Sequence, residues 1–194
     1  MDPYNITLTA ETQFAKEVTL GVIYQQPPSA WHYLVPGMFI IDYLRRGTAI
    51  SRYTRHFMFP RKLALDAARS LLKGQEKPRI DARIESDLEH WLKSLKLYSQ
   101  ELIQAQKRAI DLLIEHYRKL QEAEGDSIYE LLENAYTSRE AYETHLRELT
   151  SAEEDIDRVI VDKTGKKNEK LKEKLQLEAR QVEIRRKKIL DNIF

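Results

Sequence analysis

The chain contains no cysteine, which removes disulfide staples, thiolate nucleophiles and thiolate zinc sites from consideration. Apolar runs are short, far below the ~20 residues a membrane-spanning helix needs. The opening Met1-Asp2-Pro3-Tyr4 has neither the basic nor the apolar stretch of a secretory leader. We therefore expect a cytoplasmic protein, or one held peripherally at the inner face of a membrane. A one-sided charge is also missing: 32 Lys+Arg stand against 31 Asp+Glu, unlike a uniformly basic nucleic-acid binder or an acidic tail. Glycine is scarce, at six in 194 residues. No Gly-x-x-x-x-Gly-Lys, Gly-x-Gly-x-x-Gly or Gly-x-Ser-x-Gly occurs, so phosphate cradles and nucleophile elbows are not indicated.

Proline is absent after Pro78, and Gly125 and Gly165 are the only glycines from Arg79 to Phe194. A proline costs a helix interior about 3 kcal/mol, so its absence permits long helices there. Ile84, Leu88, Trp91, Leu95, Tyr98, Leu102, Ala105 and Ala109 alternate in steps of four and three, the spacing of a coiled-coil stripe. Leu113, Tyr117 and Leu120 continue it. With Pro78 at the start and Gly125 at the stop, this predicts one helix over 79–123, about 65 Å long at ~1.5 Å per residue. Ser127 with Glu130 forms a capping-box pattern, which opens a second helix over 127–162; Ser151 with Glu154 repeats it and predicts a kink near 150. A last helix is expected over 167–193. Residues 121–162 carry 13 acidic and 3 basic side chains, whereas 163–188 carry 11 basic and 4 acidic. Antiparallel pairing of the last two helices would set these opposite charges face to face.

The first 76 residues differ. Residues 18–65 hold 8 of the 17 aromatic residues, with six basic side chains against Asp42 alone. Pro36-Gly37 predicts a turn, followed by short helices over 38–46 and 48–58 that stop at Gly47 and before Pro60, and another over 60–73. Trp31, Tyr33, Phe39, Ile40, Ile41, Tyr43 and Leu44 form an apolar, aromatic stretch, and Arg45, Arg46, Arg52 and Arg55 follow it. Aromatic residues beside unopposed arginines suit headgroup depth at a bilayer, and the same residue types are enriched at protein interfaces. The simplest alternative packs the aromatics in the head's own core, with the arginines on its surface.

The predicted fold class is all-α: a head of short helices (1–76) followed by an elongated, coiled-coil-like antiparallel hairpin or bundle (79–194). The predicted function is a non-enzymatic interaction or scaffold protein. It would dock through the aromatic-basic segment on an anionic membrane surface or a protein partner, and associate with a partner or with itself through the helical arm. No cofactor or small-molecule substrate is inferred. The alternative is a nucleic-acid binder using Arg52–Lys62, where cations alternate with stackable rings, and the C-terminal basic helix. A carboxylate-bridged metal bundle is a remote alternative. It requires Glu-x-x-His on two helices, and among His32, His56, His90, His116 and His145 only His90 has a carboxylate, Asp87, three residues earlier. Glu153-Glu154-Asp155-Asp157 lacks the spaced loop of a calcium site and suits the first turn of a helix.

Overall fold

The computed structural model describes residues 2–24, 38–164 and 169–194, those at 38–46 and 170 by their backbone alone. Among the described residues there are seven helices and no strand. The all-α class follows from the sequence as expected, but the helix boundaries differ in ways that reshape the molecule.

Helix α1 (Pro3–Tyr24) begins with proline in its first turn, and the Asp2 carboxylate caps it by accepting the Tyr4 N–H at 3.2 Å. Helix α2 (Met38–Leu72) runs unbroken through Gly47 and Pro60, where three short helices were expected. A proline deletes one backbone hydrogen bond, but side chains on both sides of Pro60 are fixed by packing. Phe59 stacks on Trp91 with centroids 4.7 Å apart, and Ala64, Leu65, Ala67 and Ala68 are buried. Tertiary contact therefore outweighs the local penalty.

The expected single helix over 79–123 is two helices, α3 (Lys77–Ser94) and α4 (Gln100–Glu122). Lys96 adopts a left-handed φ of 59°. The Leu97 N–H reaches back to the Leu92 carbonyl at 2.9 Å, and that of Lys96 to Lys93 at 3.0 Å, closing α3 as a Schellman-type cap does. Ser99 then caps α4 by accepting the Leu102 N–H at 3.1 Å. Hydrophobic burial drives the reversal. Folded back, Ile80, Ile84 and Leu88 share one core with Ile110, Leu113 and Tyr117; extended, those faces would stay in water. An ion pair of 2.7 Å between Lys107 and Glu85 ties the hairpin. There is thus no 65 Å arm.

The second expected helix breaks as well, at 136–138 rather than near 150. Helix α5 (Ile128–Ala135) is short, Ser138 accepts the Ala141 N–H at 3.2 Å, and α6 (Arg139–Thr164) passes Ser151 without interruption. The break turns Tyr136 inward, where it is 3% exposed. Helix α7 (Glu169–Ile193) completes the chain and runs antiparallel to α6, with Arg139 paired to Asp191 at 3.0 Å.

Helix α4 is the centre of the bundle, in contact with α1, α2, α3, α5 and α6. Its buried positions include Leu102, Ile103, Ile110, Leu113, Ile114, Tyr117 and Leu120, too many faces for a helix with only one neighbour. Ile6, Ala64 and Leu65 from the head lie in the same core as Ile84, Leu149 and Leu190 from the arm. The stripe expected to face a partner is largely covered by the chain's own helices. A smaller cluster of Val18, Val22 and Val182 joins α1 to α7, with Phe14, Tyr53 and Phe57 packed on it. No helix among the described residues is long and apolar enough to cross a membrane.

Candidate docking surface and the polar core beneath it

Of the residues expected to dock, Trp31 and Tyr33 lie outside the described residues. Phe39, Ile40, Ile41, Tyr43, Leu44, Arg45 and Arg46 are positions on the helical backbone of α2, and Arg52 and Arg55 are described in full and exposed. Because α2 is continuous, its register assigns faces. Tyr53 and Phe57 pack inward, and steps of three and four back from them place positions 50, 46, 43 and 39 on the same stripe. Thr48, Ser51, Arg52 and Arg55 are exposed, and the corresponding steps place 40, 41, 44 and 45 on theirs. At Gly47, between the two, a Cβ would meet nothing within 4 Å. One helix therefore aligns Ile40, Ile41 and Leu44 with Arg45, Arg52 and Arg55. Positions 39, 43 and 46 share the register of Tyr53 and Phe57 instead.

Further along α2, Arg61 is not a surface cation, as the alternative reading had it, but is 5% exposed. Its guanidinium lies 4.5 Å from the Phe57 ring centroid and 5.5 Å from that of Phe14. It donates to Glu153 at 3.2 Å and pairs more loosely with Glu11 at 3.7 Å. From α7, Arg186 donates to both oxygens of Glu153, at 2.8 and 2.9 Å, and to the Thr150 hydroxyl at 2.9 Å. Arg185 pairs with Glu17 of α1 at 3.0 Å. The C-terminal basic helix thus spends two of its arginines inside the bundle; Lys187 and Lys188 remain exposed.

Next to this network lies a ring cluster. His116 of α4 shares a 2.6 Å hydrogen bond between Nδ1 and the Tyr136 hydroxyl. It stacks on His145 of α6 with centroids 4.7 Å apart and lies near-parallel to Tyr142 at 6.2 Å. Burial, with His145 and Arg186 adding like charge, pushes His116 far below the usual imidazole range. Burial, reinforced by Arg186, brings His145 down to about 4. Both rings are neutral at physiological pH. A cavity of about 70 Å³, room for about two waters, is bordered by Glu11, Arg61, His116, Tyr142, His145 and Arg186 among apolar side chains. The His145 Nε2 in this region is buried without a hydrogen-bond partner, and so is the Tyr117 hydroxyl nearby. Such a site could exchange a proton or hold ordered water. Its one carboxylate, Glu11, is engaged with Arg61, and no group of residues that could hold a metal ion occurs among the described residues.

A third group lies between these two regions. Tyr53 of α2 donates a very short hydrogen bond to Glu178 of α7. Asp157 of α6 lies close enough for burial and the charges of Glu178, Glu153 and Glu154 to push its carboxyl up to about 7. Burial also raises Glu178, against the Tyr53 hydrogen bond, which favours its charged form.

In the sequence, His116 and His145 stand only as failed metal ligands, and nothing local announces that their rings stack. A signal was present: His116, His145, Arg61 and Arg186 all fall on or beside apolar stripe positions, where a polar residue marks a buried network. No protein-family model matches the chain, and neither curated proteins nor solved structures show a detectable relative.

Proposed function

We propose that this chain is a non-enzymatic docking protein. Its helical bundle would hold the N-terminal part of α2 against an anionic membrane surface. The observation that carries the reading is the continuity of α2. An unbroken helix aligns apolar positions 40, 41 and 44 with Arg45 and with the exposed Arg52 and Arg55. An apolar strip that ends in arginines suits an interfacial helix. Its apolar side chains enter the acyl boundary while the cations reach phosphates, each contributing about 1 kcal/mol close to the surface. Nucleic-acid binding is supported less, because Arg61, Arg185 and Arg186 are already paired within the bundle.

Flotation with phosphatidylcholine vesicles, with and without phosphatidylserine, at low and high salt tests this. Binding to the anionic vesicles should persist in part at high salt. Ile40→Glu with Ile41→Glu and Leu44→Glu should abolish it without changing the circular-dichroism melt. Absence of flotation in every condition would refute the reading and leave a protein partner for the same face. Unfolding of the triple variant would place those side chains in the core instead.

A further inference from the structure

We propose that the outer face of the α1–α7 pair is a self-association surface that receives α5 of a second copy of this chain. The two helices meet along a seam whose register is fixed by contacts. Glu17 pairs with Arg185 at 3.0 Å, a Cβ on Gly21 would meet the Gln181 side chain, and Val18, Val22 and Val182 pack on the core side. One number rises as the other falls, so the helices run antiparallel. A residue three further along a helix lies on the same side as the first. Leu20 and Tyr24 stand three after Glu17 and Gly21; Ile184 and Lys188 stand three after Gln181 and Arg185. In an antiparallel pair both sets emerge on the side of the seam away from the core. There Leu20, Tyr24 and Ile184 are 38%, 62% and 47% exposed, and the register sets Leu20 beside Ile184. Lys16 lies one turn before Leu20, and Arg180 and Lys188 lie one turn to either side of Ile184; all three are exposed. The carboxylate of the seam, Glu17, is already held by Arg185.

The chain itself carries the matching surface. The run from Glu122 to Asn134 contains five acidic residues and no basic one, and Glu122, Glu124, Asp126, Glu130 and Glu133 are all exposed. Among them Tyr129 projects into water, while Leu131 and Leu132 on the opposite side of α5 anchor that helix in the core. An aromatic centre with an acidic border thus answers an apolar centre with a basic border. Such complementarity suppresses wrong partners and fixes register at interfaces. An anionic bilayer would serve the cations of α1 and α7 but repel the acids of α5, whereas a second copy uses both. This contact is independent of the docking of α2.

Sedimentation velocity of the full chain tests the proposal. The weight-average mass of the wild type should rise with concentration up to about 1 mM, the range of weak association, and fall back at high salt, which screens the charge pairs. Arg180→Glu with Lys188→Glu reverses one surface, and Glu124→Lys with Glu133→Lys reverses the other. Each double variant alone should associate at least about tenfold more weakly, because like charges then face each other. Mixed in equal amounts, the two should associate again, since each presents what the other's reversed surface needs. A wild type that stays monomeric overturns the proposal, and so does a mixture that stays monomeric although both variants melt as the wild type does. Should either variant not fold, Ile184→Ser decides, because it removes an exposed apolar side chain and no charge: weakened association supports the surface and unchanged association overturns it. Flotation with phosphatidylserine-containing vesicles separates lipid from protein. If Arg180→Glu with Lys188→Glu floats less while its self-association is unchanged, the face is a lipid contact and the proposal is overturned. Docking of α2 is read by the variants at 40, 41 and 44, so the two readings fail separately.

Discussion

Glu153 holds two buried arginines, and its replacement by glutamine is the sharpest test of the polar core. Arg61 and Arg186 are 5% and 8% exposed, and both of Arg186's carboxylate contacts go to Glu153. In Glu153→Gln the amide oxygen can still accept a hydrogen bond, but the negative charge is lost: the 3.7 Å contact of Arg61 to Glu11 is then its one ion pair, and Arg186 has only neutral acceptors, the amide oxygen and the Thr150 hydroxyl. Leaving a buried charge unpaired costs about 3–5 kcal/mol. The Glu153 side chain is 31% exposed, so water can partly replace it and the lower end, about 3 kcal/mol, is expected. With an unfolding entropy of about 2.1 cal/mol/K per residue, 194 residues give roughly 0.4 kcal/mol/K. The melting temperature should therefore fall by about 7 °C. Urea denaturation and calorimetry at pH 5.5 measure this; at that pH Asp157 is protonated and gains little from losing a neighbouring negative charge. The control is Arg158→Gln, which breaks an exposed pair with Asp155 and should change stability by less than about 0.5 kcal/mol. A loss below about 1 kcal/mol in Glu153→Gln would refute the argument that this carboxylate neutralises both cations.

Three further outcomes follow from local geometry. His145 is neutral when folded, with a value near 4 against about 6.5 unfolded, so the stability it confers is present above pH 6.5 and lost as pH falls towards 4. Over that window His145→Gln should reduce the pH slope of the unfolding free energy by about 1.4 kcal/mol per pH unit relative to wild type; an identical slope would mean that the ring is solvated. Lys96 sits at a φ of 59°, so Lys96→Gly should stabilise the protein by about 0.5–1 kcal/mol, and a destabilised variant would refute the left-handed turn between α3 and α4. A Cβ on Gly21 would collide with the Gln181 side chain where α1 crosses α7. Gly21→Ala should thus be neutral or harmful alone but stabilise a Gln181→Ala background by about 0.5–1 kcal/mol, the usual helix gain; denaturation of the four proteins of that cycle reads it.

The helical class was legible because proline and glycine are nearly absent after Pro78 and because the apolar period is regular. Where the helices stop was less legible, for identifiable reasons. The stripe from Ile84 to Ala109 keeps its spacing straight through Leu95–Tyr98, yet the chain reverses there, since periodicity reports which side of a helix is apolar and says nothing about what covers it. The reversal needed a lysine in the left-handed region, a position for which glycine or asparagine is the usual marker. Conversely, Gly47 and Pro60 are the conventional stops, and α2 runs through both; at Pro60 the packing of Phe57, Phe59, Ala64 and Leu65 fixes the helix from its sides. In both directions tertiary burial decided against a local signal.

The polar core was harder to read than the fold, and its chemistry explains why. Arg61 follows Phe57 by four residues and precedes Ala64 by three; Arg186 lies four after Val182 and four before Leu190. Each therefore occupies an inward position, where a charge is stable only if a partner arrives from another helix. Those partners are Glu11 and Glu153, 50 and 92 residues away in sequence from Arg61. Pattern alone could flag the arginines as misplaced but could not name the carboxylates. The same holds for Tyr53, whose acceptor Glu178 is 125 residues away. The proposed docking stripe differs in kind, since its positions lie within a few turns of one helix and need only the continuity of α2 to be aligned. A face set by register needs only the helix that carries it, and the sequence marks a break in that helix at Gly47; a network closed by long-range pairing required the fold.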